Sequence, residues 1–149
     1  AVRQEIQTVQ QTRVSTQYDN TTTTLGNVTG LTANVAASGT YRFEAILYTT
    51  SNVGGGVKFA IAGTATATAI VYESVDFQGG VAVATGTQRA AALATAVGDV
   101  TAVTTAYVRV TGLITVNAAG TLTVQAAANI AVGTTSVLVG STFVVNQIL

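Results

Sequence analysis

Histidine, cysteine, methionine, tryptophan and proline are all absent from this chain of 149 residues, and only 8% of it is charged. Each absence removes a class of chemistry. Without imidazole there is no proton shuttle near neutral pH, and without imidazole or thiolate there are no soft-metal ligands. No disulfide framework supports the fold. An ordinary soluble domain carries about 25% charged residues, so this surface consists mostly of Thr, Ser, Asn, Gln, Ala and backbone. Six basic residues balance six acidic ones. Nucleic-acid binding rests on clustered Lys and Arg, and that balance argues against it. No apolar run approaches the roughly 18 residues of a membrane helix, and the aromatic girdles of a membrane barrel are missing. The opening Ala1–Gln10 carries no basic-then-apolar leader pattern. These readings point to a non-enzymatic structural protein with no cofactor and no metal.

What the chain does have is Thr, Val, Ala and Gly, residues suited to strands and close-packed surfaces. A neutral, sparsely charged surface lacks the net repulsion that keeps copies apart, so association is expected. The length fits one domain with a real core. Aromatics reach only 6%, so that core should be thin and anchored by a few large residues. The candidates are Tyr41, Phe43, Leu47, Phe59, Tyr72, Phe77, Tyr107, Leu113, Leu122 and Phe143.

Residues 1–19 differ from the rest in being rich in Gln and in charge. They read as an N-terminal arm, either a mobile tail or a segment that orders on a neighbouring subunit or partner. Val2, Arg3, Ile6, Val9 and Arg13 are its candidate partner-binding residues. Residues 20–149 read as strands broken by Gly- and Asn-containing turns. The fold class expected is all-β: an antiparallel, jelly-roll-like β-sandwich of roughly 8–10 strands with an extended N-terminal arm.

Thr40–Thr50 alternates Tyr41, Phe43, Ala45 and Leu47 against Arg42, Glu44, Ile46 and Tyr48, the period of a central strand. Val57–Ala62, Ala67–Phe77 and Val81–Thr85 follow. Gln88–Val97 is ambiguous, with high helix propensity but no caps. Tyr107–Val116 sets Tyr107, Arg109, Thr111 and Leu113 against Val108, Val110 and Gly112. A break in phase at Leu113–Ile114 suggests a bulge near Gly112. Asn117–Gly120 reads as a hairpin connection with Gly120 left-handed, and Phe143–Leu149 as the last strand.

Chemical motifs are few. Gly54–Gly56 before Val57–Lys58 lacks the spacing and the following helix of a phosphate loop and reads as a hairpin loop. Glycoside hydrolysis needs two carboxylates flanking one bond. The nearest pair, Glu73 and Asp76, has odd spacing that puts the two on opposite strand faces, so they read as solvated or interfacial charges. Arg42 and Glu44 share a face and can pair with each other or across a subunit boundary. Arg109 should reach solvent or a carboxylate, since an unpaired buried guanidinium is costly. Asp99 reads as a turn residue, and no Asp-rich loop offers a calcium site.

Three stretches in order, TYRFEAILYTT (40–50), VKFAIAGTATATA (57–69) and YVRVTGLITVNAAGTLTVQAAANIAVGTTSVLVGSTFVVNQI (107–148), resemble a domain of tailed-bacteriophage virion proteins. The resemblance implies a jelly-roll domain that assembles as a homotrimer, located in the virion. Its implied partners are copies of itself and the major capsid protein or other virion proteins, with no nucleic acid and no membrane. It fits a capsid decoration or cement protein. A receptor-binding tip of a tail fibre and a bacterial surface adhesin-like subunit remain alternatives. Thr64 and Ala126–Ala127 depart from the family pattern, which often has a Pro and an aromatic there. The motifs are structural, so no active site is carried over.

Overall fold

The computed structural model describes residues 9–52, 54–78, 81–83, 89–100 and 105–149, with backbone alone for 78, 81–83 and 99–100. Thirteen strands alternate with short connections: β1 (Val9–Arg13), β2 (Tyr18–Asn20), β3 (Gly26–Val35), β4 (Thr40–Thr50), β5 (Val57–Ala62), β6 (Thr66–Gln78), β7 (Val81–Val83), β8 (Arg89–Ala90), β9 (Val97–Val100), β10 (Thr105–Ala118), β11 (Gly120–Ala127), β12 (Thr135–Val137) and β13 (Thr142–Gln147). None of the described residues is helical.

The strands form two antiparallel sheets, one of nine strands with the path β1-β13-β4-β10-β6-β7 and one of four, β3-β11-β5-β9. Eight of them, β1, β3, β4, β5, β9, β10, β11 and β13, can be counted first to eighth along the chain. The large sheet then runs first–eighth–third–sixth and the small sheet second–seventh–fourth–fifth, which is the winding of a jelly roll. β6 widens the large sheet beyond β10, and β7 and β8 pair with β6.

Strict alternation on the long strands explains the core. On β4, Tyr41, Phe43, Ala45, Leu47 and Thr49 point inward, and on β10 Val108, Val110, Ile114 and Val116 do the same. The small sheet contributes Val28, Leu31, Phe59, Ile61, Leu122 and Val124. Phe43 lies at the centre, its ring 6.3 Å from that of Tyr72 and 6.2 Å from that of Phe143, both in tilted or edge contact. Such pairs contribute roughly 0.5–1.5 kcal/mol beyond their buried area, which matters in a core made mostly of Val and Ala.

Several expectations are corrected. Pairing of β10 with β4 and β6 runs unbroken through Gly112, and the irregularities in the β6 pairing fall at Thr115/Val116 and Val116/Ala118. Gly112 keeps its place on the inward face because a Cβ there would lie 2.3 Å from the Val71 carbonyl oxygen and 2.6 Å from the Phe43 ring. Alternation therefore continues past it, and Leu113 is exposed rather than core. Phe77 and Tyr107 are half-buried on the outer face of the large sheet.

β10 and β11 belong to different sheets, so residues 117–120 form a corner and not a hairpin. Gly120 is not left-handed. What it needs is room, since a Cβ would lie 2.5 Å from the Ala65 nitrogen. The Gly54–Gly56 loop likewise joins β4 to β5 across the two sheets. Residues 91–96 form an irregular loop between β8 and β9. Ala94 takes a positive φ there and donates its N–H to the Ile61 carbonyl, while the Tyr72 hydroxyl reaches the Ala92 and Thr95 carbonyls. These long-range bonds override the local helix propensity.

Candidate functional site

The outward positions of β4, β10 and β6 form ordered rungs across the large sheet. Tyr48, Tyr107 and Phe77 make one rung; Ile46, Arg109 and Val75 the next; then Glu44, Thr111 and Glu73; then Arg42, Leu113 and Val71. β13 and β1 extend the rungs on one side, and β8 sets Arg89 opposite Glu73 on the other. The alternation that buries Phe43 and Val110 necessarily places these residues outside.

Two features set this face apart. Arg13, Arg42, Glu44, Glu73, Arg89 and Arg109 all stand on it, half of the charged residues of the chain. Tyr48, Tyr107 and Phe77 stand on it as well, a third of the five Tyr and four Phe. Their rings form a row, with centroids 5.5 Å apart for Tyr48–Tyr107 and 5.8 Å for Phe77–Tyr107. Leu113 rises between two shallow hollows of about 440 and 310 Å³. The first is lined by Arg42, Glu44, Arg109 and Thr111, and the second by Val71, Glu73, Arg89 and Thr111. Aromatic residues and Arg are enriched at protein interfaces, and Trp, Tyr and Arg dominate their energetics.

Of the residues singled out in the arm, Val9 and Arg13 lie on β1, paired with Asn146 and Thr142 of β13. Val2, Arg3 and Ile6 lie outside the described residues. The stretch from Val9 to Asn20 supplies β1, at one end of the large sheet's strand path, and β2, which pairs with β12. Val14 is fully buried, its N–H donates to the Ser141 carbonyl at 2.8 Å, and its own carbonyl accepts from Gly140. Gln10 reaches across to the small sheet. Its amide donates to the Asn34 carbonyl, and its side-chain oxygen accepts the Asn34 N–H at 2.9 Å. One carboxamide thereby occupies both backbone groups of Asn34 on the outer edge of β3 and covers that edge against further pairing.

Arg42 and Glu44 share the outer face as expected, and Arg109 reaches solvent. Glu73 and Asp76 lie on opposite faces of β6, also as expected, but Asp76 is not a solvated or interfacial charge. It is fully buried, and neither carboxylate oxygen has a hydrogen-bond partner among the described residues. Burial pushes its pKa up to about 6. No cluster of three or more His, Cys, Asp or Glu among the described residues could hold a metal ion. Asp19, by contrast, has its pKa lowered by hydrogen bonds from Ser136 and Gln17.

The sequence reading places Phe77 and Tyr107 in the core and so does not show the aromatic row, which the structure sets on the outer face. The signal was present: Arg109 shares a strand face with Tyr107 and Leu113, which marks that face as outward.

No protein-family model matches the chain, and no curated protein matches it. Among solved structures, it is similar to the structure of infectious bursal disease virus, Gx strain, with a TM-score of 0.25 and 11% identity. That match covers 96% of this chain and 40% of the other. The structure of the Gt strain gives a TM-score of 0.22 and 13% identity, over 95% and 39% of the two chains. This chain therefore spans about two-fifths of the length of the chains it matches. Both likenesses are weak, and the assignment of this chain to the two-sheet jelly-roll sandwiches rests on its own strand order.

Proposed function

We propose that this protein is a structural component of a virion, a capsid decoration or cement protein that binds the head surface as a homotrimer. The observation that carries the reading is the outer face of the large sheet. A chain with few charges and few aromatics places half of the first and a third of the second on one side of a jelly roll. The jelly-roll winding and the three phage-like sequence stretches supply the virion setting. The mechanism is mechanical: a rigid sandwich presents a preformed sheet face to other copies of itself in the shell, and association costs little conformational entropy because its anchors are already ordered.

Fluorescently labelled protein incubated with phage heads lacking it, and separately with host cells, tests this reading. Saturable occupancy of the heads without cell binding is the expected result. Cell binding without head binding overturns it in favour of a receptor-binding tip. One observation favours that second reading. The Gly54–Gly56 loop and the 128–134 loop meet at one end of the sandwich, where Asn129 and Ile130 donate to the Gly55 carbonyl, and Ile130 and Val132 are exposed there.

A further inference from the structure

We propose that the outer face of the large sheet binds the same face of a second copy of this chain, across a twofold axis that runs perpendicular to the strands between the Thr111 and Arg109 rungs. The inference deepens the assembly reading above and rests on it for self-association; within a trimeric decoration protein, this contact joins copies of neighbouring trimers.

A twofold axis in the plane of the contact, directed across the strands, sets each rung of one copy over the rung an equal distance beyond the axis on the other. Placed between Thr111 and Arg109, it superposes Arg109 on Thr111 of the second copy. Glu44 and Glu73 of that copy then flank the guanidinium, one strand to either side, because both stand on the Thr111 rung. Neighbouring strands are about 4.8 Å apart, within reach of an extended Arg side chain. Ile46 and Val75 sit beside Arg109 on its own rung and shield these pairs from water. By symmetry the pairing occurs twice.

The same operation lays the aromatic rung over the Leu113 rung. Tyr107 meets Leu113, Tyr48 meets Arg42, and Phe77 meets Val71. Leu113 and Tyr48 are 46% and 47% exposed in the single chain, and this contact covers both. The hollows either side of Leu113 receive the rings of Tyr48 and Phe77. Tyr48 over Arg42 adds a cation–π contact. The neighbouring axis positions serve the face less well. Through the Thr111 rung itself, Glu44 and Glu73 would each meet their own copies, which like-charge repulsion forbids.

The area is adequate. Ten residues on each of β4, β10 and β6, with the six of β13 and the five of β1, span on the order of 650 Å² per copy at about 3.3 Å per residue and about 4.8 Å between strands. A standard specific interface buries about 800 Å² per partner.

The test uses two variants of the full chain, Arg109→Glu and the double variant Glu44→Arg/Glu73→Arg. Alone, each turns the contact repulsive, with three carboxylates meeting in the first and three guanidinium groups in the second. Mixed, they restore complementarity at both halves of the twofold site. In sedimentation velocity, the wild type is expected to show the twofold-linked mass and each variant alone to lose that twofold step. A one-to-one mixture, with one chain carrying a mass tag, is expected to regain it with both chains in equal amounts. Retention of wild-type mass by both variants overturns the proposal, as does a mixture that fails to regain it or a wild type without a twofold step. All positions changed are on the outer face, and circular dichroism melting checks that the fold is kept. Leu113→Asp supplies an independent break at a second rung and is likewise expected to lose the twofold step. Head binding is measured separately. Its absence sinks the decoration reading and leaves the twofold contact standing, whereas unchanged variant masses do the reverse.

Discussion

The outer faces of the two sheets are made by the same alternation and have opposite characters. On the small sheet the outward residues include Asn27, Thr29, Thr32, Asn34, Thr121, Thr123 and Gln125, with Lys58 and no aromatic side chain among those described. Several of these groups satisfy each other. The Thr32 and Thr123 hydroxyls lie 3.0 Å apart, Gln125 donates to Asn27 at 2.8 Å, and the Thr64 and Thr121 hydroxyls are 3.2 Å apart. On the large sheet the outward residues include aromatic, aliphatic and charged side chains that stand in ordered rungs, the pattern on which the proposed twofold contact is built. A hydroxyl or amide ladder has little left to offer a partner, whereas exposed Tyr, Leu and Arg do. The contrast teaches that spare binding capacity in a chemically sparse chain is concentrated on one side, with the other side made inert by pairing its polar groups internally.

The largest effect on this contrast is expected from Gly112→Val. The new side chain would drive into the Val71 carbonyl and the Phe43 ring, and overpacking of this kind costs about 1–3 kcal/mol or more. Loss of soluble protein or a large fall in Tm is expected, with both outer faces lost together.

Asp76 gives the next effect and a pH signature. Its folded pKa is raised from 3.8 to about 6, so its contribution to stability is fully present below the unfolded value and is lost as pH rises through the folded one. The wild type is therefore expected to lose stability from this group between about pH 4 and pH 7, by at most about 3 kcal/mol from the linkage relation. Asp76→Asn should flatten that part of the profile and raise Tm at pH 8. Chemical denaturation at several pH values checks this, and a parallel profile for the two proteins would show that the carboxylate carries no such penalty.

Smaller effects separate the two faces directly. Thr32→Val leaves the Thr123 hydroxyl without its partner, and a loss of about 1 kcal/mol is expected with self-association unchanged. Gln10→Ala exposes the Asn34 backbone pair and should cost a similar amount, read as faster amide exchange at Asn34. Leu113→Ser inverts the pattern. Stability should stay within about 0.5 kcal/mol, as for other exposed sites, while self-association is lost. If Leu113→Ser and Thr32→Val behaved alike in sedimentation, the contrast between the faces would fail.

Much of this architecture was legible in the residues. β4 and β5 have the bounds that their patterning suggested, and β6, β10 and β13 differ by a residue or two at each end. The two-residue period is a local property, fixed by strand geometry wherever inward Val, Leu and aromatic residues alternate with polar ones. The candidate face was half visible, since Arg109 shares its period with Tyr107 and Leu113. The buried state of Asp76 was not visible, because alternation gives only that it opposes Glu73, not which of the two faces inward.

The sequence by itself determined the class, the alternation and the scarcity of chemical groups. Tertiary structure decided which sheet each strand joins, which face turns outward and where the left-handed and crowded residues fall. Those depend on contacts between residues far apart in the chain, such as Gly120 against Ala65, Ala94 on Ile61 and Gln10 on Asn34. No local pattern encodes them, because the same alternating strand fits either sheet until the jelly roll winds shut around it.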